Sequence, residues 1–302
     1  MNFSDYDYLE TETNATIIAD SVSTLTNARV TTMIWRVPRF IIPQLNTHRV
    51  FSRNVASSRA KRFSTVLKEA NYHPKLWLAN HKGMQAETLV DEWKKWFADI
   101  IWKSSKLSAI LHGFLLDKLG ISKQYTNRII ENYCYVDYLV TSTEWDNFFY
   151  QRDDNHAQFE IQVLARKAKQ ALVESIPTEL KEWEWHLPFI TEEERNRFEI
   201  DSLIKLSVAR CARTSYTDIS YRLFVNESTG KAKLAKIDKD IELYNRLVND
   251  KPPHLSPTEH QAQATYDYNP SGNLSGVLQY RKILEYYNFD NDLVTNYLEA
   301  HV

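Results

Sequence analysis

The sequence predicts an α+β fold, a mixed or antiparallel sheet flanked by helices, on three observations. Short runs rich in β-branched and aromatic residues read as strands. Longer stretches space their apolar residues at helical intervals. The two kinds of segment do not alternate in the regular rhythm that builds a parallel βαβ sheet. The chain has 302 residues, 43% of them hydrophobic and 13% aromatic, enough to fill a sizeable core. We read it as a single domain over residues 1–302, its weakest seam at 174–194, where Pro177, Pro188 and a run of three glutamates interrupt the pattern.

Taken in order, residues 29–42 read as a strand entering an irregular turn near Pro43. Between 86 and 119, Leu89, Trp93, Trp96, Phe97, Ile100, Ile101, Leu107, Leu111 and Leu115 fall at helical spacing, predicting one or two amphipathic helices that Gly120 ends. A helix is expected over 122–131 and a buried strand over 133–141; Thr143 is placed to cap a short helix carrying Trp145, Phe148 and Phe149. Further helices are expected over 156–173, with Phe159, Val163, Leu164 and Ala168 on one face, and around 200–211 and 237–248. Residues 249–275, rich in Pro, Ser, Asn and Gly, read as a functional loop. Residues 68–120 and 272–302 suggest no functional role.

Composition bounds the chemistry. Charges nearly cancel, 37 basic against 39 acidic residues for a net −2, which speaks against a nucleic-acid partner held by a global basic surface. No apolar run approaches the roughly 20 residues of a membrane span, and the acidic N-terminus does not resemble a secretory leader, so a cytoplasmic protein without membrane contact is expected. The two cysteines, Cys134 and Cys211, form no metal-binding or redox pair and read as buried fillers; no metal site is expected. With six glycines there is neither a G-x-G-x-x-G nor a P-loop, so any dinucleotide binds outside those frameworks.

One segment stands out on charge. Between Asn46 and Leu67 lie Arg49, Arg53, Arg59, Lys61 and Arg62, no acid, and hydroxyls at Thr47, Ser52, Ser57, Ser58, Ser64 and Thr65. Guanidinium forks beside short hydroxyls suit a phosphate, since arginine binds it bidentately and hydroxyls satisfy the remaining oxygens. A solvated basic loop, or a nucleic-acid-binding loop with strong salt dependence, fits the composition equally well.

The spacing adds more. Thr47-His48-Arg49-Val50 leading to Ser57-Ser58-Arg59 resembles the signature of the flavin-dependent thymidylate synthases, the ThyX family: Arg-His-Arg, seven residues, Ser-x-Arg. Thr47 stands where that family has its first arginine and Val55 where it commonly has glutamate. The stretch from Asn147 to Ile161, containing Arg152 and His156, is similar to the family's Asn-Phe-Leu-x-Leu-Arg, three residues, His-Ala-Gln-x-Glu-Ile. Ala212-Arg213-Thr214-Ser215-Tyr216 and the block from His254 to His260 resemble two further family motifs, which in the family precede the signature; here they follow it, as in a circular permutation.

The resemblance implies a ThyX-like fold and the reductive methylation of dUMP to dTMP, with methylene-tetrahydrofolate as carbon donor, NADPH as reductant and FAD as relay. By the same resemblance Arg152 is the catalytic and pyrimidine-binding arginine. Gln44, Ser57, Ser58, Arg59 and Arg128 join it in holding the nucleotide. His48, Arg49, Val50, Asn147, His156, Ser215, His254, Ser256 and Glu259 hold flavin. A homotetramer with shared sites is implied as well. Departures at Thr47 and Val55 leave room for a related one-carbon transfer, such as hydroxymethylation, on the same scaffold.

Overall fold

The structure, a computed structural model, describes residues 12–82, 88–214, 237–266 and 272–301. Its main sheet contains β1 (Asn14–Ser23), β2 (Arg29–Pro38), β3 (Ser52–Val55), β4 (Tyr135–Ser142) and β5 (Thr178–Leu180), in the order β3-β4-β2-β1-β5. All neighbours are antiparallel except β1 and β5, so the sheet is mixed, as the sequence predicts. A small antiparallel sheet joins β6 (Trp185–His186), β7 (Ala262–Gln263) and β8 (Leu278–Gln279). The helices are α1 (Ile42–Leu45), α2 (Phe63–Glu69), α3 (Glu92–Lys118), α4 (Lys123–Thr126), α5 (Asp146–Arg152), α6 (Phe159–Glu174), α7 (Glu192–Arg195), α8 (Ile200–Arg213), α9 (Ile237–Asn249), α10 (Tyr280–Tyr286) and α11 (Asn291–Ala300).

The centre of the sheet is the ladder of β2 on β4, which pairs Met33 with Val140, Trp35 with Tyr138 and Val37 with Val136. Side chains alternate between faces along a strand. These pairs therefore share one face, where α5 and α6 cover them: Trp35 stacks on Phe148 with ring centroids 5.2 Å apart, and Ile161, Leu164 and Ala168 of α6 complete a buried cluster. On the opposite face Ile34 and Leu139 pack with Phe189 and Cys211. A second large cluster gathers Trp185 of β6 with Leu203, Ile204, Val208, Leu243, Leu247, Tyr280 and Leu284 of the C-terminal helices.

Besides the apolar contact of Phe189 and Cys211 with the sheet, a chain of polar contacts joins the C-terminal elements to it. Ser21 Oγ lies 2.9 Å from His186 Nδ1, His186 Nε2 2.8 Å from Thr32 Oγ1, Thr32 Oγ1 2.7 Å from Thr141 Oγ1, and Thr141 Oγ1 2.8 Å from His260 Nδ1. All five residues are buried. Beside this chain, Arg210 of α8 takes Glu194 in a bidentate pair at 2.8 and 2.5 Å and reaches Asp240 of α9 at 3.3 Å, all three buried. Burial alone raises the Glu194 carboxyl, yet the Arg210 hydrogen bonds and charge hold it below its ordinary value.

Three expectations need correction. The helix of α5 begins at Asp146 with Trp145 in the cap position and no side-chain cap; Thr143 Oγ1 instead accepts the Ser275 N–H at 2.8 Å, a tertiary bond that outcompetes the local one. The segment 122–131 is only α4 followed by a 3-10 stretch over Asn127–Tyr133. The predicted amphipathic region is one helix, α3, ended by Gly120 at φ 73°, but the side chains assigned to its apolar face are mostly exposed: Trp96 is 60% and Leu107 69% accessible. Gly113 is its buried residue, because a Cβ there would sit 2.6 Å from the Phe63 ring. The two cysteines are buried as expected. Strand β1 and helices α10 and α11 carry no sequence signal strong enough to be singled out beforehand.

Burial pushes His186 down to about 3, with the Arg195 charge adding and Asp20 opposing, and pushes His260 to about 3, with His186 adding. A histidine kept neutral by the fold favours folding above the unfolded value of 6.5, and that contribution is lost as pH falls toward 3. The urea midpoint should therefore drop between pH 7 and pH 5, before the carboxylates titrate. An unchanged midpoint over that interval would contradict the buried, neutral histidines.

Candidate functional site

The turn after β2 builds the centre of the site. Proline at position 38 ends the ladder, Pro43 sits in the first turn of α1, and the chain reverses through Thr47 N–H to Gln44 O at 3.2 Å and His48 N–H to Leu45 O at 3.2 Å. This sets His48 against the rings of Phe51, 5.6 Å away and stacked, and Phe148, 5.1 Å away and edge-on. Arg152, the last residue of α5, donates from Nε to His48 Nε2 at 3.0 Å and from Nη2 to Thr47 Oγ1 at 3.3 Å. Thr47 in turn donates its hydroxyl to Gln44 O at 2.7 Å.

The donor pattern fixes protonation. An arginine Nε–H can only donate, so His48 Nε2 is the bare nitrogen and Nδ1 carries the proton. Burial pushes His48 down to about 4, and the charges of Arg152 and Arg53 add to the shift. Burial likewise lowers Arg152 from its ordinary value, and among the described residues no carboxylate pairs with it. Two of its nitrogens are used for positioning. Nη1 makes no hydrogen bond among the described residues and is available to a carbonyl or an anion.

The second half of the signature lies against the segment holding Arg128. Asn127 Nδ2 bridges Ser58 O at 2.7 Å and Lys61 O at 3.0 Å, and Ser58 Oγ donates to Glu131, which also pairs with Arg39 at 3.2 Å and Arg128 at 3.7 Å. Ser58 is therefore buried in this support, while Arg59 and Arg128 stay exposed and Ser57 half-buried at the start of a 3-10 turn. Asn127 and Glu131 are positioning residues that the sequence reading missed; their adjacency to Arg128 was the available signal.

The C-terminal motif reaches the signature from its other side. Its 3-10 turn, Ser256–Glu259, packs on β3, where Gln279 Nε2 donates both to Glu259 O at 2.9 Å and to Ser52 Oγ at 3.1 Å. Glu259 itself is paired with Arg281, and Ser256 and His254 are exposed. These contacts give a role to the segment 276–282, which sequence inspection left without one. Gly276, at φ 74°, lets it pass Ala28, whose Cβ would lie 2.7 Å from an added Cβ.

The structure thus gathers Gln44, Thr47, His48 and Arg152 at one point, Ser57, Ser58, Arg59 and Arg128 at a second, and seats Ser256–Glu259 on β3 beside them. Val50 contributes its carbonyl to Asn273 at 3.1 Å. Among the described residues no hydrogen bond or ion pair connects the side chains of Arg49 or Asn147 to any of these groups, and His156 bonds Asp154, at 2.7 Å on an exposed loop. Ser215 lies outside the described residues.

Comparison with family models matches residues 10–178 to the family described as thymidylate synthase complementing protein, Thy1, which is more than half of the chain. The chain belongs to this ThyX family. Membership makes it a thymidylate synthase-like pyrimidine methyltransferase. The matched span holds β1 to β4, the signature, Arg128 and Arg152, and stops before the motifs at 212–216 and 254–260. No curated protein matches the chain. Among solved structures it is similar to the UMP/dUMP methylase PolB from Streptomyces cacaoi bound with 5-Br UMP, at 15% identity and TM-score 0.45 over 55% of this chain and 90% of that one. The complex of that methylase with 5-Br dUMP gives 14% identity, TM-score 0.45, and 55% and 91% coverage. Likenesses this slight do not bear on function.

Within the ThyX family frame, Thr47 occupies the place of a cation and acts here as a neutral acceptor beside Arg152, a point where an arginine would repel it. The arrangement has a direct spectroscopic consequence. In Arg152→Ala the pKa of His48 should move upward, because one of the charges that depress it is gone; ¹⁵N shifts should also show neutral His48 with its proton on Nδ1 in the wild type at pH 6. A charged or Nε2-protonated ring there would contradict this geometry.

Proposed function

We propose that the chain is a flavin-dependent thymidylate synthase that converts dUMP to dTMP, using methylene-tetrahydrofolate, NADPH and FAD. The observation that carries this reading is Arg152, clamped by His48 and Thr47 with its Nη1 edge open, inside the span that matches the ThyX family. Both cysteines support it. Burial raises Cys134 to about 12, with Glu69 adding, and raises Cys211 as well, so neither offers the thiolate on which the alternative chemistry of pyrimidine methylation depends.

The residues fit an anionic, carbonyl-bearing dinucleotide and a nucleotide monophosphate. Exposed guanidinium groups at Arg49, Arg59 and Arg128 suit phosphates, and the Nδ1–H of His48 and the free Nη1 of Arg152 suit ring carbonyls. His48, Arg49, Val50, Asn147, His156, Ser215, His254, Ser256 and Glu259 would hold FAD; Gln44, Ser57, Arg59, Arg128 and Arg152 would hold dUMP, and Ser58 would anchor their loop. When bound, flavin supplies hydride-transfer chemistry to the one-carbon unit. Arg152 would donate to a pyrimidine carbonyl and stabilise negative charge that develops on the ring, a task for a preorganised, permanently cationic donor. Its bond to neutral His48 keeps that donor aimed without neutralising it.

We also infer that the motif order is permuted relative to the family, supported by the seating of Ser256–Glu259 on β3 through Gln279. The same reading implies a homotetramer. Helix α3 presents Trp93, Trp96, Ile101, Leu107 and Leu111 to solvent, a stripe suited to a second copy of the chain.

Purified protein should carry or take up FAD, with an absorbance band bleached by NADPH, and should form dTMP identified by product mass. Arg152→Ala should retain flavin and lose turnover by about a hundredfold, the cost of one preorganised donor at roughly 3 kcal/mol. Protein that takes up no flavin, or an alanine variant of wild-type rate, overturns the assignment. Leu107→Glu combined with Leu111→Glu should lower the assembly state by light scattering, and an unchanged mass would remove α3 from the interface.

A further inference from the structure

Gln44 does not stand alone. Its Nε2 lies 2.6 Å from Gln158 Oε1, Gln158 Nε2 lies 2.9 Å from Glu160 Oε2, and the Tyr72 hydroxyl donates to Glu160 Oε1 at 2.6 Å. The direction of every bond follows from one end. A carboxylate only accepts, so Gln158 must turn its NH₂ toward Glu160 and its carbonyl toward Gln44. That carbonyl also only accepts, so Gln44 turns its own NH₂ toward Gln158 and its Oε1 away. Flipping either amide sets oxygen against oxygen, or nitrogen against nitrogen, at hydrogen-bond distance.

The far end is firmly held. Tyr72 is buried among Phe40, Tyr135 and Trp102, with centroids at 5.0, 5.6 and 5.9 Å, and burial followed by the Glu160 charge raises its phenol well above the ordinary value, so it stays a donor. At the near end, the backbone carbonyl oxygen of Gln44 receives both Thr47 donors, and Thr47 holds Arg152. Gln44 and Arg152 are thus set with opposite polarity in one small region.

We propose that Glu160 is a positioning residue that, through Gln158, locks the Gln44 side chain with its carbonyl toward the nucleotide, so that the site selects a nucleotide presenting a hydrogen-bond donor there. This rests on the reading that Gln44 contacts dUMP. The donor is a sugar hydroxyl or the N3–H of a uracil ring, and a cytosine ring, whose N3 accepts, is disfavoured in the second case.

The test is a double-mutant cycle on dUMP binding to the flavin-loaded protein, measured by calorimetry with Gln44→Ala, Gln158→Leu and their combination. Gln158 is exposed, so its variant should fold, and melting curves check this. Each single variant should weaken binding about fivefold, the effect of one net hydrogen bond. The double should be no weaker than Gln44→Ala. Glu160→Gln, which removes the fixed polarity and keeps the shape, should weaken binding when Gln44 is present and have no further effect once Gln44→Ala has been made. With 2′,3′-dideoxyuridine monophosphate the Gln158→Leu penalty should vanish if the donor is the 3′-hydroxyl, and it should persist if the donor is N3–H, in which case dCMP binds more weakly than dUMP. Fully additive penalties overturn the relay while leaving dUMP as substrate. Wild-type protein that binds no dUMP overturns both.

Discussion

The chain of buried hydrogen bonds from Ser21 through His186, Thr32 and Thr141 to His260 is what the rest of the molecule depends on. Every partner is inside the protein, so each bond replaces a water contact that folding removes, and losing one leaves a buried polar group unsatisfied at a cost of about 1–3 kcal/mol. Hydrophobic packing alone would hold the C-terminal helices against the sheet in several ways. Directional bonds to Thr32 and Thr141, opposite each other on β2 and β4, admit one register. Because His260 is the residue after Glu259, that register also places the 3-10 turn of Ser256–Glu259 on β3.

Two kinds of support then converge on the signature. From the N-terminal side, the aromatic cluster of Trp35, Phe51, Trp145 and Phe148 holds His48 and the helix that ends at Arg152. From the C-terminal side, Gln279 ties Ser52 to Glu259. Arg152 is held by two hydrogen bonds and has no ion-pair partner among the described residues, and this combination suits binding a neutral carbonyl that gains negative charge. A carboxylate beside Arg152 would hold it equally well and would neutralise its charge in the resting state.

Helix α3 shows the limit of reading amphipathicity from one chain. Its apolar spacing is real, and the sequence reading took it as a packed helix, yet it meets the rest of the chain through Trp102, Ser105, Ala109, Ile110 and Gly113, while most of the residues first assigned to its apolar face stay exposed. Periodicity reports that a face is to be covered. It carries no information on whether the cover is the same chain or another copy.

The fold class, the buried strands around Trp35 and Leu139 and the family were legible in the sequence, because these follow from local periodicity and from motifs whose spacing is contiguous. It missed β1, α10 and α11, whose local patterns are weak, and it assigned Thr143 to a helix cap that a bond from Ser275 displaces. The tertiary structure alone decided which groups meet: Arg152 with His48 and Thr47 across a separation of about a hundred residues, Gln44 with Gln158, and Ser52 with Gln279. Such pairings depend on strand register and on buried hydrogen bonds between distant segments, and neither is written in the spacing of neighbouring residues.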